Sequence, residues 1–167
     1  INSAISTEVP NILEGTPGNV DITTLSGTVS IRTDNNSTNE DVLAETEDTK
    51  TKTSANKFST TQSTIYGGEV TIGTLSGTVN NEVETTVDAA TIDISAAAIL
   101  AETSIAIDEL SGAIVNTVEI DSDSGDYSTS IEAAALTTEN DATDEITPSI
   151  TISSFGSDAS ITSNLYF

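Results

Sequence analysis

The 167-residue chain contains no cysteine, methionine, tryptophan or histidine. Without Cys there is neither a disulfide framework nor a thiolate nucleophile. With His also missing, no Ser-His-Asp or Cys-His site and no common zinc site can be assembled. Bases are nearly as scarce: Arg32, Lys50, Lys52 and Lys57 stand against 27 Asp and Glu, giving a net charge of −23, and residues 58–167 hold 18 acids and no base. That balance excludes a Lys/Arg surface for phosphates, so nucleic acid is not an expected partner. No apolar run approaches a membrane span, so membrane insertion is not expected. Only 4% of residues are aromatic, few for a sugar-stacking platform. Carboxylate pairs occur everywhere among so many acids and identify no glycosidase site. The chain is read as a non-enzyme.

What is present is β-branched and repetitive. Val20-Asp21-Ile22-Thr23-Thr24-Leu25-Ser26-Gly27-Thr28-Val29 recurs as Val70 to Val79 and as Ile105 to Ile114, each copy centred on Leu-Ser-Gly. Within a copy the apolar residues change parity, from Val70 and Ile72 to Leu75, Val79 and Val83. Side chains alternate faces with a period of two, so the change requires a bulge or bend at the tetrad. Threonine-rich, regularly alternating segments argue for an all-β fold over a disordered acidic chain.

The first segment alternates as well: Ile1, Ser3, Ile5, Thr7 and Val9 share one side of an extended strand. Pro10 ends it, and Gly15, Pro17 and Gly18 supply a hinge. Residues 1–14 are thus expected to be an N-terminal extension and residues 15–167 a β-rich body. The chain starts at Ile1 without Met, and is read as a mature, exported polypeptide whose signal has been removed. Between the first two repeats lies a polar stretch in which Glu40 to about Lys52 suits either a short helix, acids leading and lysines trailing, or an exposed loop or long hairpin. Ser95 to Ala101 and Ile131 to Leu136 are Ala-rich enough for single helical turns. The closing segment alternates again, with Ile161, Ser163, Leu165 and Phe167 on one face.

Three motifs carry possible chemistry. Asp123-Ser124-Gly125 matches half an aspartic-protease signature, but no second copy exists and a reverse turn explains it better. Asp121, Asp123 and Asp126, with Glu132 at the twelfth place, resemble a calcium loop whose glycine falls one position early; an ordinary acidic turn is the alternative. Calcium is the single cofactor this pattern suggests, and none is required. Asn35 and Asn36 begin overlapping glycosylation acceptors in what is expected to be an exposed polar loop.

The expected architecture is an antiparallel β-sandwich, jelly-roll or Ig-like, with an extended N-terminal strand. Residues Ile1 to Val9 resemble the donor strand of donor-strand-exchange filament subunits, including pilins and the archaeal thread and bundling-pilus types. The resemblance implies an extracellular homopolymer for adhesion or biofilm, in which the N-terminal strand completes a neighbour's sheet. The alternative is a calcium- or carbohydrate-binding β-sandwich, or a β-solenoid adhesin module of a cell-surface protein. Unequal spacing of the tetrads, 50 and then 35 residues, counts against a fixed-period solenoid.

Overall fold

The computed structural model describes residues 2–6, 17–37, 57–87, 91–121, 128–138 and 147–167. They form β1 (Asn2–Ser6), β2 (Val20–Leu25), β3 (Thr28–Ser37), β4 (Lys57–Leu75), β5 (Thr78–Val87), β6 (Thr91–Leu110), β7 (Ala113–Asp121), β8 (Ser128–Thr138), β9 (Ser149–Phe155) and β10 (Ser160–Tyr166). The architecture is all-β, as expected, but every strand pairing is parallel. The antiparallel sandwich, jelly-roll or Ig-like, is therefore overturned. Alternation of apolar and polar residues usually marks antiparallel sheets with one wet face. Here the same alternation arises because parallel strands are stacked turn upon turn, with one face inward and the other in water.

The chain coils through four rungs. β4 is followed by β5, and β6 by β7; in the outer rungs the long strand is split, as β1 plus β2 before β3, and as β8 plus β9 before β10. Long strands stack in one sheet, with β1 and β2 on β4, β4 on β6, and β8 and β9 on β6; short ones stack in the order β10-β7-β5-β3. This is a parallel β-solenoid, and its rungs are equivalent despite unequal spacing. β5 leads to β6 across residues 88–90, whereas residues 38–56 separate β3 from β4, and 139–148 separate β8 from β9. Insertions between strands change the period without touching the stacked positions. They also conceal a fourth copy of the repeat, Ile150 to Ile161, whose corner is two residues longer than that of Leu110 to Ile114.

Registration produces columns of like residues. Val20, Val70, Ile105 and Ile150 stack, as do Ile22, Ile72, Ile107 and Ile152, and Leu25, Leu75, Leu110 and Phe155. In the middle rungs these side chains are fully buried: Val70, Ile72, Leu75, Ile105 and Leu110 are 0% exposed and Ile107 is 1% exposed. Each such burial is worth about 1.5–3 kcal/mol, so the columns are the core. The parity change foreseen at the tetrad is real. Ile72 and Leu75 are both buried, with Ser76 and Gly77 outside the strands at the corner.

The corner is also where backbone comes closest. Leu25 carbonyl accepts from Ser76 N at 3.0 Å and Gly77 N at 3.0 Å, and Leu75 carbonyl accepts from Ser111 N at 2.9 Å and Gly112 N at 3.0 Å. A Cβ on Gly77 would lie 1.9 Å from the Gly27 carbonyl oxygen, and one on Gly112 would lie 1.9 Å from that of Gly77. Only glycine fits beneath another rung. Above Gly27 the same construction meets nothing within 4 Å.

Two smaller expectations are corrected. Ser95 to Ala101 and Ile131 to Leu136 are not helical turns but paired stretches of β6 and β8, with Ala96 opposite Ala133 and Ala97 opposite Ala134. Small residues suit this stretch because β6 is buried on both faces there, from Ala96 to Ala101. The helix considered for Glu40 to Lys52 lies outside the described residues.

Gly77→Ala and Gly112→Ala are each expected to destabilise by about 3 kcal/mol or more, at the upper end of overpacking costs. Gly27→Ala is expected to fall within about 1 kcal/mol of the parent. Urea unfolding of the three variants checks the contrast; equal effects would contradict the stacked corner.

Candidate functional site

Among the described residues the interior carries a ladder of amides linking the two sheets, in addition to the buried Ser63, Thr64 and Thr85. The Thr33 hydroxyl donates to Gln62 Oε1. Gln62 Nε2 donates to Asn81 Oδ1 at 3.1 Å and to the Glu82 carbonyl at 2.9 Å. Asn81 Nδ2 donates to Asn116 Oδ1 at 2.8 Å, and Asn116 Nδ2 donates to the Ala96 carbonyl at 3.1 Å. Gln62 is 1% exposed and both asparagines 0%. A buried amide with unmet partners would cost several kcal/mol, but this chain of bonds satisfies its members, so it ties β5 and β7 to the facing strands. Its chemistry is positional: the amides hold register and offer no acid, base or nucleophile. Asn81 and Asn116 were not singled out from sequence. Each stands six residues after the Leu of its tetrad, where an inward strand position should be apolar, and that repeated exception was the available signal.

The outer surface stacks charge as the interior stacks methyl groups. Asp34, Glu84 and Glu119 form one column. Arg32 Nη2 donates to Glu84, and Arg32 Nη1 lies 3.3 Å from Glu82 Oε1. The guanidinium thus neutralises the upper part of an acidic stripe, while Glu119 has Tyr166 on its other side.

The two ends of the coil differ. β2 contains Asp21, and β3 contains Arg32 and Asp34, whereas β9 and β10 contain no charged residue. Val20 and Leu25 at the first end are each 6% exposed; at the other, Ile150 is 45%, Phe155 62%, Ile161 41%, Leu165 41%, Tyr166 52% and Phe167 74% exposed. Among the described residues the large exposed apolar side chains are gathered on β9, β10 and the residue that follows.

The residues anticipated from sequence are scattered over this frame. Ile1, Thr7, Val9 and Gly15 lie outside the described residues. Ser3 and Ile5 belong to β1, which runs parallel to the β4 of its own chain, with Ser3 opposite Ser63 and Ile5 opposite Ile65. Pro17 and Gly18 are seated against the second rung: Gly68 N donates to the Gly18 carbonyl at 2.9 Å, and a Cβ on Gly68 would meet the Pro17 carbonyl oxygen at 2.5 Å. Asp121 ends β7, Glu132 lies in β8 of the other sheet, and Asp123 and Asp126 fall outside the described residues. Among the described residues no group of three or more acidic side chains could hold a metal ion. Asn35 and Asn36 are paired residues of β3, opposite Thr85 and Thr86, and not a loop. No helix among the described residues is long and apolar enough to cross a membrane.

Asn116→Leu removes the acceptor of Asn81 and the donor to Ala96, and should cost about 2–3 kcal/mol of stability in thermal or urea unfolding; a neutral result would show that the ladder holds nothing. Glu119→Gln should stabilise by about 0.5 kcal/mol by relieving its column, and the gain should shrink in 0.5 M salt (on the order of a 4–5 Å screening length); a gain independent of salt would count against repulsion. Comparison with known proteins found no matching family model, no similar curated protein and no similar solved structure.

Proposed function

We propose that the chain is a structural subunit of a secreted, self-assembling extracellular filament, built as a β-solenoid and serving adhesion or biofilm. The observation that carries this reading is the in-register stacking itself. Each rung presents the same columns to the next, so a rung is a template for another rung, whether it comes from the same chain or a neighbour. A composition without His or Cys and with an interior given over to aliphatic and amide ladders supports a mechanical role. High negative charge suits a surface that must stay soluble until its ends meet, and screening by salt lowers the barrier to that meeting.

The route of assembly proposed here differs from donation of the N-terminal strand. β1 lies on β4 of its own molecule, and donation would require it to vacate that edge. A rod that grows at its ends needs no such exchange.

Purified protein at rising concentration in about 0.15 M salt is expected to form unbranched fibres in negative stain. Their diffraction should show a spacing of about 4.7–4.9 Å along the fibre axis. A chain that stays monomeric across concentration and salt would overturn the reading. Deleting residues 1–9 should leave fibre formation intact; a folded truncation that no longer polymerises would return the assembly to strand donation. Fibres should also survive a calcium chelator, and dissolution by it would assign the Asp121 to Glu132 segment a binding role.

A further inference from the structure

Resting on the filament reading, we propose where two molecules join: the β10 edge of one chain docks on the β3 edge of a second copy, head to tail and in register, with β9 of the first meeting β2 of the second. The four-stranded sheet would then run from one molecule into the next as a single ladder.

Both strands are edges. β10 and β3 terminate the sheet ordered β10-β7-β5-β3, and neither has a second strand partner among the described residues. Soluble proteins blunt such edges with charge, proline or bulges, because an unpaired row of N–H and C=O groups recruits other strands. β3 is guarded by Arg32 and Asp34; β10, Ser-Ile-Thr-Ser-Asn-Leu-Tyr, has no charge, proline or glycine. In a chain of net charge −23, an edge strand without charge, following a β9 that also has none, is a surface built to be covered. Its inward residues, Ile161 and Leu165, are each 41% exposed, while their counterparts in the preceding rung, Ile114 and Val118, are 0% exposed.

The register identifies the second copy as the occupant. Column by column, β3 occupies the place that a rung beyond β10 would take. Val29 falls on Ile161, Ile31 on Ser163, Arg32 on Asn164, Thr33 on Leu165 and Asp34 on Tyr166. Aliphatic meets aliphatic at the head of the strand, and both charges of β3 meet neutral side chains. Beside it Asp21 falls on Thr151 and Ile22 on Ile152. No like charges are opposed anywhere along these two strands. Val29, Ile31 and Thr33 are only half-buried and have surface left to give. Unlike surfaces joined in this way do not close on themselves, so the contact generates an open fibre.

Because the chain lacks cysteine, disulfide trapping reads this contact directly. Ser30 and Thr162 are exposed and share a column through Asn80 and Val115. Neighbouring strands lie about 4.8 Å apart, within disulfide reach. Under mild oxidation the double variant Ser30→Cys/Thr162→Cys should give a ladder of covalent dimers, trimers and longer species on a non-reducing gel. Either single variant should remain monomeric on that gel, and all three should keep the parent circular dichroism. Covalent dimers from Thr162→Cys alone would mean tail-to-tail pairing and overturn the proposal. Fibres visible by microscopy without a ladder would overturn it while leaving the filament reading intact. Absence of both fibres and ladder would remove the filament reading and this contact together.

Discussion

Backbone hydrogen bonds between parallel rungs set each side chain over the residue at the same position of the next rung, about 4.8 Å away. Composition follows from that spacing. Aliphatic residues are favoured inside because identical branched side chains nest, and the Ile22, Ile72, Ile107, Ile152 column shows how little variation the position accepts. Glycine is demanded at the Gly77 and Gly112 corners because the carbonyl of the rung above occupies the space of a side chain. A buried polar group can stack as well, as Asn81 does on Asn116, whereas Gln62 lies opposite Ala96 and is met from the facing sheet by Asn81 and the Glu82 carbonyl.

The same rule has a cost on the outside. Stacking repeats charge as faithfully as it repeats shape, and Asp34, Glu84 and Glu119 repel along their column. Arg32 answers part of that repulsion from one rung above. The molecule is thus held together from within and strained electrostatically at its surface, which makes ionic conditions a control on both stability and association.

Much of the local structure was legible. The Leu-Ser-Gly tetrad marks the corner, the parity change marks the turn of the chain there, and alternation marks strands with one wet face. The relative direction of paired strands was not legible. Alternation is the same for an antiparallel hairpin and for a solenoid rung, and only the partner strand distinguishes them. The unequal repeat spacing argued against a solenoid because insertions such as residues 38–56 were counted as part of the period. The fourth rung went unseen because Phe155-Gly156-Ser157-Asp158-Ala159 replaces the short tetrad. Ala-rich stretches read as helical turns because small residues favour helices locally, whereas burial on both faces of β6 selects them for size. The amides of the ladder were hidden by their ordinariness in an Asn- and Thr-rich chain.

The separate rungs have a mechanical corollary. Each rung is bonded to the one before and the one after, so resistance to pulling is set locally, turn by turn. The last turn, with Phe155 and Leu165 still facing water, has the least holding it. A load applied to the Phe167 end would strip the coil from that side in successive steps, lengthening the molecule while the remaining turns keep their shape.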